Sequence, residues 1–384
     1  MRFEFATANR IIFGEGCIRE LAPAASSFGR QALFILGKTA KRAAAAIRAL
    51  QDAGVQTTEF HVSAEPTVEL VLDGLEKARS RKCDIVIGMG GGSAIDAGKA
   101  IAALLPNPGE ILDYLEVFGE GQTLPSPSLP FVAIPTTAGT GSEATRNAVL
   151  TVTEKRAKVS LRGPSLLPRL AIVDPALTYD LPKEVTAASG FDALVQLVEP
   201  FVSVAANPMT DALCRNGIRL VARSIRRAYE DGADREARAA MALAALFSGM
   251  ALANAKLGAV HGFAGPIGGS FSAPHGAICA RLLPVVVQAN LMALRRREPQ
   301  SSTLRRFDEL GSLLTGSEAA NGKDGVAWLR ELCAEFQIPP LRTYGLTAAD
   351  FPEVIAQADR SSSMKGNPVV LTNDELTGIL EQAL

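Results

Sequence analysis

Up to about Leu181, short apolar runs alternate with amphipathic stretches along the chain. "ALFILG" (32–37), "TTEFHV" (57–62), "DIVIGMG" (84–90) and "PFVAIPT" (130–136) have the length and apolar content of buried strands. Between them, "KRAAAAIRALQDAG" and "TVELVLDGLEKARSRK" repeat apolar residues at helical spacing. Strand, helix and strand in series predict a parallel sheet with helices on both faces. Beyond Leu181 the strand pattern stops. "TDALCRNGIRLVARSIRRAYEDG", "DREARAAMALAALFSGMALANAKLG" and "ICARLLPVVVQANLMAL" are helix-length and rich in strong helix formers, and "TNDELTGILEQAL" opens on an N-cap followed by acidic residues. The pattern therefore predicts an α/β domain with a parallel, Rossmann-like sheet over residues 1–182. An all-helical domain follows over 183–384, joined near "DLPKEVTAAS". Ligands of such proteins tend to lie beyond the carboxyl ends of the strands, in the cleft between domains.

Composition agrees with two ordinary globular domains. The chain has 384 residues, more than one hydrophobic core usually serves, with 47% apolar and 21% charged residues. A formal net charge of −1, without a long basic or acidic block, calls for neither nucleic acid nor an anionic membrane as partner. "RSRK" and "RRR" read as solvated faces. The five cysteines are scattered and contain no C-x-x-C, which points to a reducing compartment. "MRFEFATANRIIFGEG" has no continuous apolar core, and "ALFSGMALANA" is too short to span a bilayer, so a cytoplasmic protein is expected.

Two segments have the composition of ligand loops. "DIVIGMGGGSAIDAGKA" runs from a strand through Gly88, Gly90, Gly91 and Gly92 into Ser93 and a helix. Glycines there let the backbone approach a ligand, and the helix start offers unpaired N–H groups suited to a diphosphate. The sixth position of a G-x-G-x-x-G pattern is Ser93, so the motif departs from the standard dinucleotide fingerprint. "IPTTAGTGSEAT" again follows a strand and brings Thr136, Thr137, Thr140 and Ser142. Glycine-rich turns also occur for packing alone; two of them at strand ends favour a nucleotide site.

"HGFAGPIGGSFSAPHG" holds two of the chain's three histidines, His261 and His275. Glycine and proline around them are expected to bend the chain so that both rings face the cleft between the domains. In "TAASGFDALVQLVEP", read as a helix, Asp192 and Gln196 share one face. Asp plus two His is a ligand set for a divalent metal with an open position, although buried histidines are also common without one.

These motifs together resemble the iron-containing (group III) alcohol dehydrogenases. "RIIFGEG", "GMGGGSAIDAGKA", "IPTTAGTGSE", "AIVDPALT", "GFDALVQLVEPFVS", "HGFAGPIGGSFSAPHGAICARLLP" and "NPVVLTNDEL" carry the resemblance over nearly the whole length. It implies the two-domain plan shared with dehydroquinate synthases and a homodimer or larger assembly. It further implies a metal-assisted, reversible hydride transfer between NAD or NADP and a small alcohol, aldehyde or ketone. Gly90, Gly91, Gly92 and Ser93 match the family's diphosphate loop, with Asp96 in the same motif, and Thr136, Thr137 and Thr140 match residues around the phosphate and nicotinamide. Lys158 falls where the family has a lysine reaching the ribose. Asp192, His261 and His275 match three of four ligands to a metal, Fe²⁺ first and Zn²⁺ as the alternative.

Three positions depart from the family pattern. Gln196 stands where the fourth ligand is usually histidine, and an amide oxygen is the poorer donor for iron or zinc. Gly265 stands where many members place a histidine near the nicotinamide, which implies a roomier pocket without that proton relay. Gly37 replaces an aspartate that would meet the ribose 2′-OH, with Lys38, Lys41 and Arg42 close by. Without the acid, NADP(H) is expected to be tolerated. Two relatives of the same architecture remain as alternatives: a metal-independent reductase resembling maleylacetate reductases, which Gln196 favours, and a lyase resembling dehydroquinate synthases.

Overall fold

A computed structural model of the chain describes residues 2–37, 42–116, 121–155 and 157–384. It divides into two compact units. One consists of Ala6–Leu181 with Gly232–Ala242; the other contains Pro182–Asp231 and Leu243–Leu384.

The first unit is built on strands β1 (Ile11–Phe13), β2 (Gln31–Leu36), β3 (Gln56–His61), β4 (Ile85–Gly90), β5 (Phe131–Pro135) and β8 (Leu170–Val173), with β6 (Asn147–Val152) and β7 (Ala157–Arg162) between the last two. The six form one sheet in the order β1-β8-β5-β4-β2-β3, every pair parallel, while β6 and β7 make an antiparallel hairpin. Helices α1 (Leu21–Ser26), α2 (Ala43–Asp52), α3 (Val68–Ser80), α4 (Gly92–Leu104) and α5 (Ile111–Tyr114) complete it. Successive strand residues point to opposite faces, so the sheet needs two cores. Leu33, Ile35 and Val86 pack with Val71, Leu75, Ile95, Ile101 and the hairpin's Leu150 and Leu161. Phe34, Leu36, Ile85 and Ile87 pack on the other side with Leu21, Leu50 and Ile172. The four runs singled out in the sequence are β2 to β5. Strands β1 and β8 span three and four residues, too few to show a period.

The helical unit carries α6 (Lys183–Val202), α7 (Pro208–Glu230), most of α8 (Arg235–Asn254), α9 (Ala259–Ser270), α10 (His275–Arg297), α11 (Thr303–Thr315), α12 (Gly322–Glu335), α13 (Phe351–Arg360) and α14 (Asn373–Ala383). Helix α6 buries Phe191, Leu194, Leu197, Val198 and Phe201 on one side and Asp192, Ala193, Gln196, Glu199 and Pro200 on the other, as a central helix does. Helices α8 and α10 are long and apolar enough to cross a membrane by length and composition; 78% of the apolar window of α10 is buried within the protein, the pattern of a core helix.

One expectation needs correcting. The segment 259–270, with its glycines and Pro266, is a helix rather than a bend, and α10 begins at His275 itself instead of near Ile278. The chain turns only over residues 271–274. Burial of Val260, Phe263, Ala264 and Ile267 outweighs the weak helix propensity of glycine.

Candidate active site

Asp192 lies in the middle of α6, His261 in the first turn of α9 and His275 at the first position of α10. The tertiary fold brings the three together. Nε2 of His261 and Nε2 of His275 each lie 3.6 Å from Asp192 Oδ1. The side chain of Asp192 is 3% exposed, that of His261 8% and that of His275 34%.

Glu199, two turns beyond Asp192 on α6, fixes the His261 ring. Its Oε2 accepts from His261 Nδ1 at 2.7 Å and its Oε1 accepts from the Val260 amide at 2.7 Å. With the proton on Nδ1, the Nε2 lone pair faces Asp192, the arrangement that metal-bound histidines adopt. Nε2 is buried and has no hydrogen-bond partner among the described residues. A buried donor nitrogen without a partner, next to a carboxylate and a second imidazole, fits a divalent cation. Electrostatics agree. Burial would push the Asp192 carboxyl up, yet the two imidazoles hold it well below the usual carboxylate range. Burial would push His261 down, but Asp192 and Glu199 raise it to about 9. The pocket thus places net negative charge around whatever positive species sits there.

Gln196 shares the face of α6 with Asp192, as its spacing predicted. Its Nε2 donates to Asp192 Oδ1 at 3.1 Å and its Oε1 accepts from Ser248 Oγ at 3.1 Å. It therefore turns its N–H side, not its oxygen, toward the carboxylate. Sequence reading overlooked Cys279, whose Sγ lies 3.6 Å from His275 Nε2. One ligand atom from each of Asp192, His261, His275 and Cys279 lies within 4.8 Å of the others. The spacing of four from His275 was the available signal, but it carries meaning only once α10 is known to start at His275. Glu199 was legible in the same way, as an acid seven residues after Asp192 on a helix that is buried throughout from Gly190 to Val202.

In the α/β unit the two glycine loops leave neighbouring strands. Gly90 of β4 is in register with Pro135 of β5, and the Thr136 amide donates to Gly90 O at 2.9 Å. A Cβ on Gly90 would meet Ala94 Cβ at 2.6 Å, and one on Gly92 would meet Thr140 Cγ2 at 2.7 Å. Helix α4 starts with Gly91 as N-cap and without a side-chain cap, with Ser93 in its first turn. Its first amides are therefore open to an anion. Thr137 lies beside Gly91, at 3.4 Å from the position of a Cβ there. Asp96 is engaged in structure: it accepts from Ser142 Oγ and, at 3.1 Å, from the Val149 amide, tying α4 to the second loop and the hairpin. Lys158 pairs with Glu65 at 2.7 Å. Gly37 sits where a Cβ would lie 3.2 Å from Gly90 Cα. Lys38 and Lys41 lie outside the described residues, and Arg42 is held by Asp180 and the Leu177 carbonyl. Gly265 in α9 faces open space, with nothing within 4 Å of a Cβ there.

The fold and site are those of a parallel α/β sheet with two glycine loops at its strand ends and a helical unit that gathers an Asp–His–His cluster. The comparisons with known proteins are more specific. Residues 8–175 match the family described as iron-containing alcohol dehydrogenase, and residues 186–384 match the C-terminal part of the same family. The chain is 38% identical over 337 residues to a 1,3-propanediol dehydrogenase of Klebsiella pneumoniae, covering 87% of this chain and 85% of that one. A solved 1,3-propanediol oxidoreductase superposes with a TM-score of 0.92 at 34% identity over the full length of both chains. A sulfoacetaldehyde reductase from Bifidobacterium kashiwanohense, solved in complex with NAD⁺, gives a TM-score of 0.86 at 28% identity and covers 99% of this chain and 98% of that one. The chain belongs to the iron-containing alcohol dehydrogenases. It is an NAD(P)-dependent oxidoreductase acting on alcohols and aldehydes, and membership implies a divalent metal as well as the dinucleotide.

Proposed function

We propose that Asp192, His261 and His275 hold the divalent metal of an alcohol dehydrogenase, with Gln196 as an outer partner of Asp192. The observation that carries this reading is the convergence of the three side chains on one another with His261 Nε2 buried and unpartnered. When bound, the cation supplies Lewis acidity to an alcohol or carbonyl oxygen and the nicotinamide gives or takes the hydride. The chain's own residues prepare the site. Asp192 contributes the negative charge, Glu199 keeps the proton of His261 on Nδ1, and Gln196 holds Asp192 Oδ1 by its amide N–H. The amides at the start of α4, with Gly90, Gly91, Gly92 and Ser93, receive the diphosphate; Thr136, Thr137 and Thr140 line the adjoining loop. Asp96 positions that loop rather than touching the dinucleotide, and Lys158 reaches a ribose only by exchanging Glu65.

The absence of an acid at Gly37 supports use of NADP(H) beside NAD(H); a strong preference for NAD(H) in catalytic efficiency would count against it. 1,3-Propanediol, named in the relatives, heads a panel of primary alcohols, diols, aldehydes and keto acids. Five free cysteines support a cytoplasmic location, and assembly into a homodimer or larger oligomer carries over from the resemblance. The test is metal removal. Chelator-treated protein is expected to lose turnover and to regain it with Fe²⁺ or Zn²⁺. Full turnover without metal, or none recovered with Fe²⁺, Zn²⁺, Mn²⁺ or Co²⁺, overturns the reading.

A further inference from the structure

We propose that Cys279 is the fourth protein ligand to the cation, in the place that Gln196 leaves open. This rests on the reading above, that Asp192, His261 and His275 hold a divalent metal. Geometry carries it. His275 and Cys279 are four residues apart on α10, so both side chains project from one face of its first turns. Three separations set the scale of the cluster: Asp192 Oδ1 to His261 Nε2, Asp192 Oδ1 to His275 Nε2, and His275 Nε2 to Cys279 Sγ, each 3.6 Å. In a tetrahedral site with metal–N and metal–O bonds of about 2.0–2.1 Å and metal–S of about 2.3 Å, neighbouring ligand atoms lie about 3.3–3.6 Å apart. Three of the six separations therefore match such a site before any ion enters, and all six lie within 4.8 Å. Gln196 does not compete for the position as it stands, because its amide N–H is directed at Asp192 and its oxygen at Ser248.

Thiolate ligation releases the Cys279 proton. The Cys279 thiol gives its proton to solvent as the sulfur–metal bond forms, and no electron is transferred. Asp192 and a thiolate then balance the dication, where one carboxylate with three imidazoles would leave a net positive charge. A softer, more electron-rich donor set favours Zn²⁺ over Fe²⁺ in this chain.

The full-length protein, stripped with chelator and loaded with one equivalent of Co²⁺, is expected to show a thiolate-to-cobalt charge-transfer band in the near ultraviolet. Cys279→Ser should abolish the band and weaken Zn²⁺ binding by more than the roughly 10–100-fold typical of losing an outer-shell partner. Gln196→Met should keep the band. X-ray absorption on the zinc-loaded parent, which needs no variant, should show one sulfur at about 2.3 Å. A zinc site with nitrogen and oxygen neighbours only, or a band that survives Cys279→Ser, overturns the role of Cys279 and leaves the three-ligand reading standing. Failure of the parent to retain either ion removes both.

Discussion

The two regions proposed to bind ligands in this chain are built from opposite materials. In the α/β unit the loops after β4 and β5 recognise through backbone: glycines that permit close approach, amides at a helix start, and small hydroxyl side chains. In the helical unit the cluster recognises through side chains donated by α6, α9 and α10, and the backbone only sets their directions. The first kind of site is local in sequence, because a strand followed by a glycine turn and a helix start is one continuous segment. The second draws on positions 192, 261, 275 and 279, which only helix packing unites. Tolerance to change should differ accordingly. A side-chain site depends on how closely its helices approach, and that approach depends on residues that touch no ligand.

Gly276 offers the strongest way to break the helical site. A Cβ there would lie 2.2 Å from the Ala188 carbonyl oxygen of α6, so the glycine is what lets the start of α10 reach the helix that bears Asp192. Gly276→Ala is expected to cost about 3 kcal/mol or more, by overpacking against backbone, and to abolish cation binding. Gly265→Ala, on α9 with open space around it, is the matched control, expected to change stability by no more than about 1 kcal/mol, in the stabilising direction. Thermal denaturation and bound-metal content of the two variants decide the matter; equal effects would show that the α6–α10 approach is not what the site depends on.

Glu199→Gln probes direction rather than distance. Glutamine can still accept from the Val260 amide but no longer offers a carboxylate to His261 Nδ1. Metal affinity in competition with a chelator should fall about 10–100-fold, with little change in melting temperature. An unchanged affinity would mean that packing alone aims the ring.

The smallest effect is expected beneath the nucleotide loops. Burial pushes the Glu143 carboxyl up to about 7 against the opposing pull of Lys99, and pushes the Lys99 ammonium down to about 8 against Asp96 and Glu143. Lys99 Nζ also donates to Thr145 O, Thr145 Oγ1 and Asn147 O, which secures the segment after the second loop. For Glu143 the folded value is raised above the unfolded one, so its contribution is fully present below pH about 4.5 and is lost as pH rises through about 7. Lys99 is shifted the other way, and its contribution is lost as pH falls from about 10.5 through about 8. Denaturant unfolding between pH 5 and 7 should show stability declining in the parent and a flatter profile in Glu143→Gln. Identical slopes would place the pH dependence elsewhere.

Much of the fold was legible because burial imposes a period. Four of the six sheet strands and the helices after Leu181 show it, whereas β1 and β8 are too short to do so. Asp192 and Gln196 were rightly placed on one helix face, and the glycine loops on strand ends. What misled was the glycine and proline content of 259–270. Local propensity reads as a bend, while Val260, Phe263 and Ile267, buried in the helical unit, hold the segment helical. That error hid Cys279, because a spacing of four has geometric meaning only inside a helix.

The amino-acid order alone determined strands β2 to β5, the periodic helices after Leu181 and the two glycine turns, since neighbours in sequence interact whatever the rest of the chain does, whereas packing made 259–270 a helix. Packing of α6 against α9 and α10 decided which donors share one point, which face of Gln196 meets the carboxylate, and that Glu199 orients His261. Those outcomes depend on separations of a few ångströms between residues far apart in the chain, and a linear pattern contains no record of such distances.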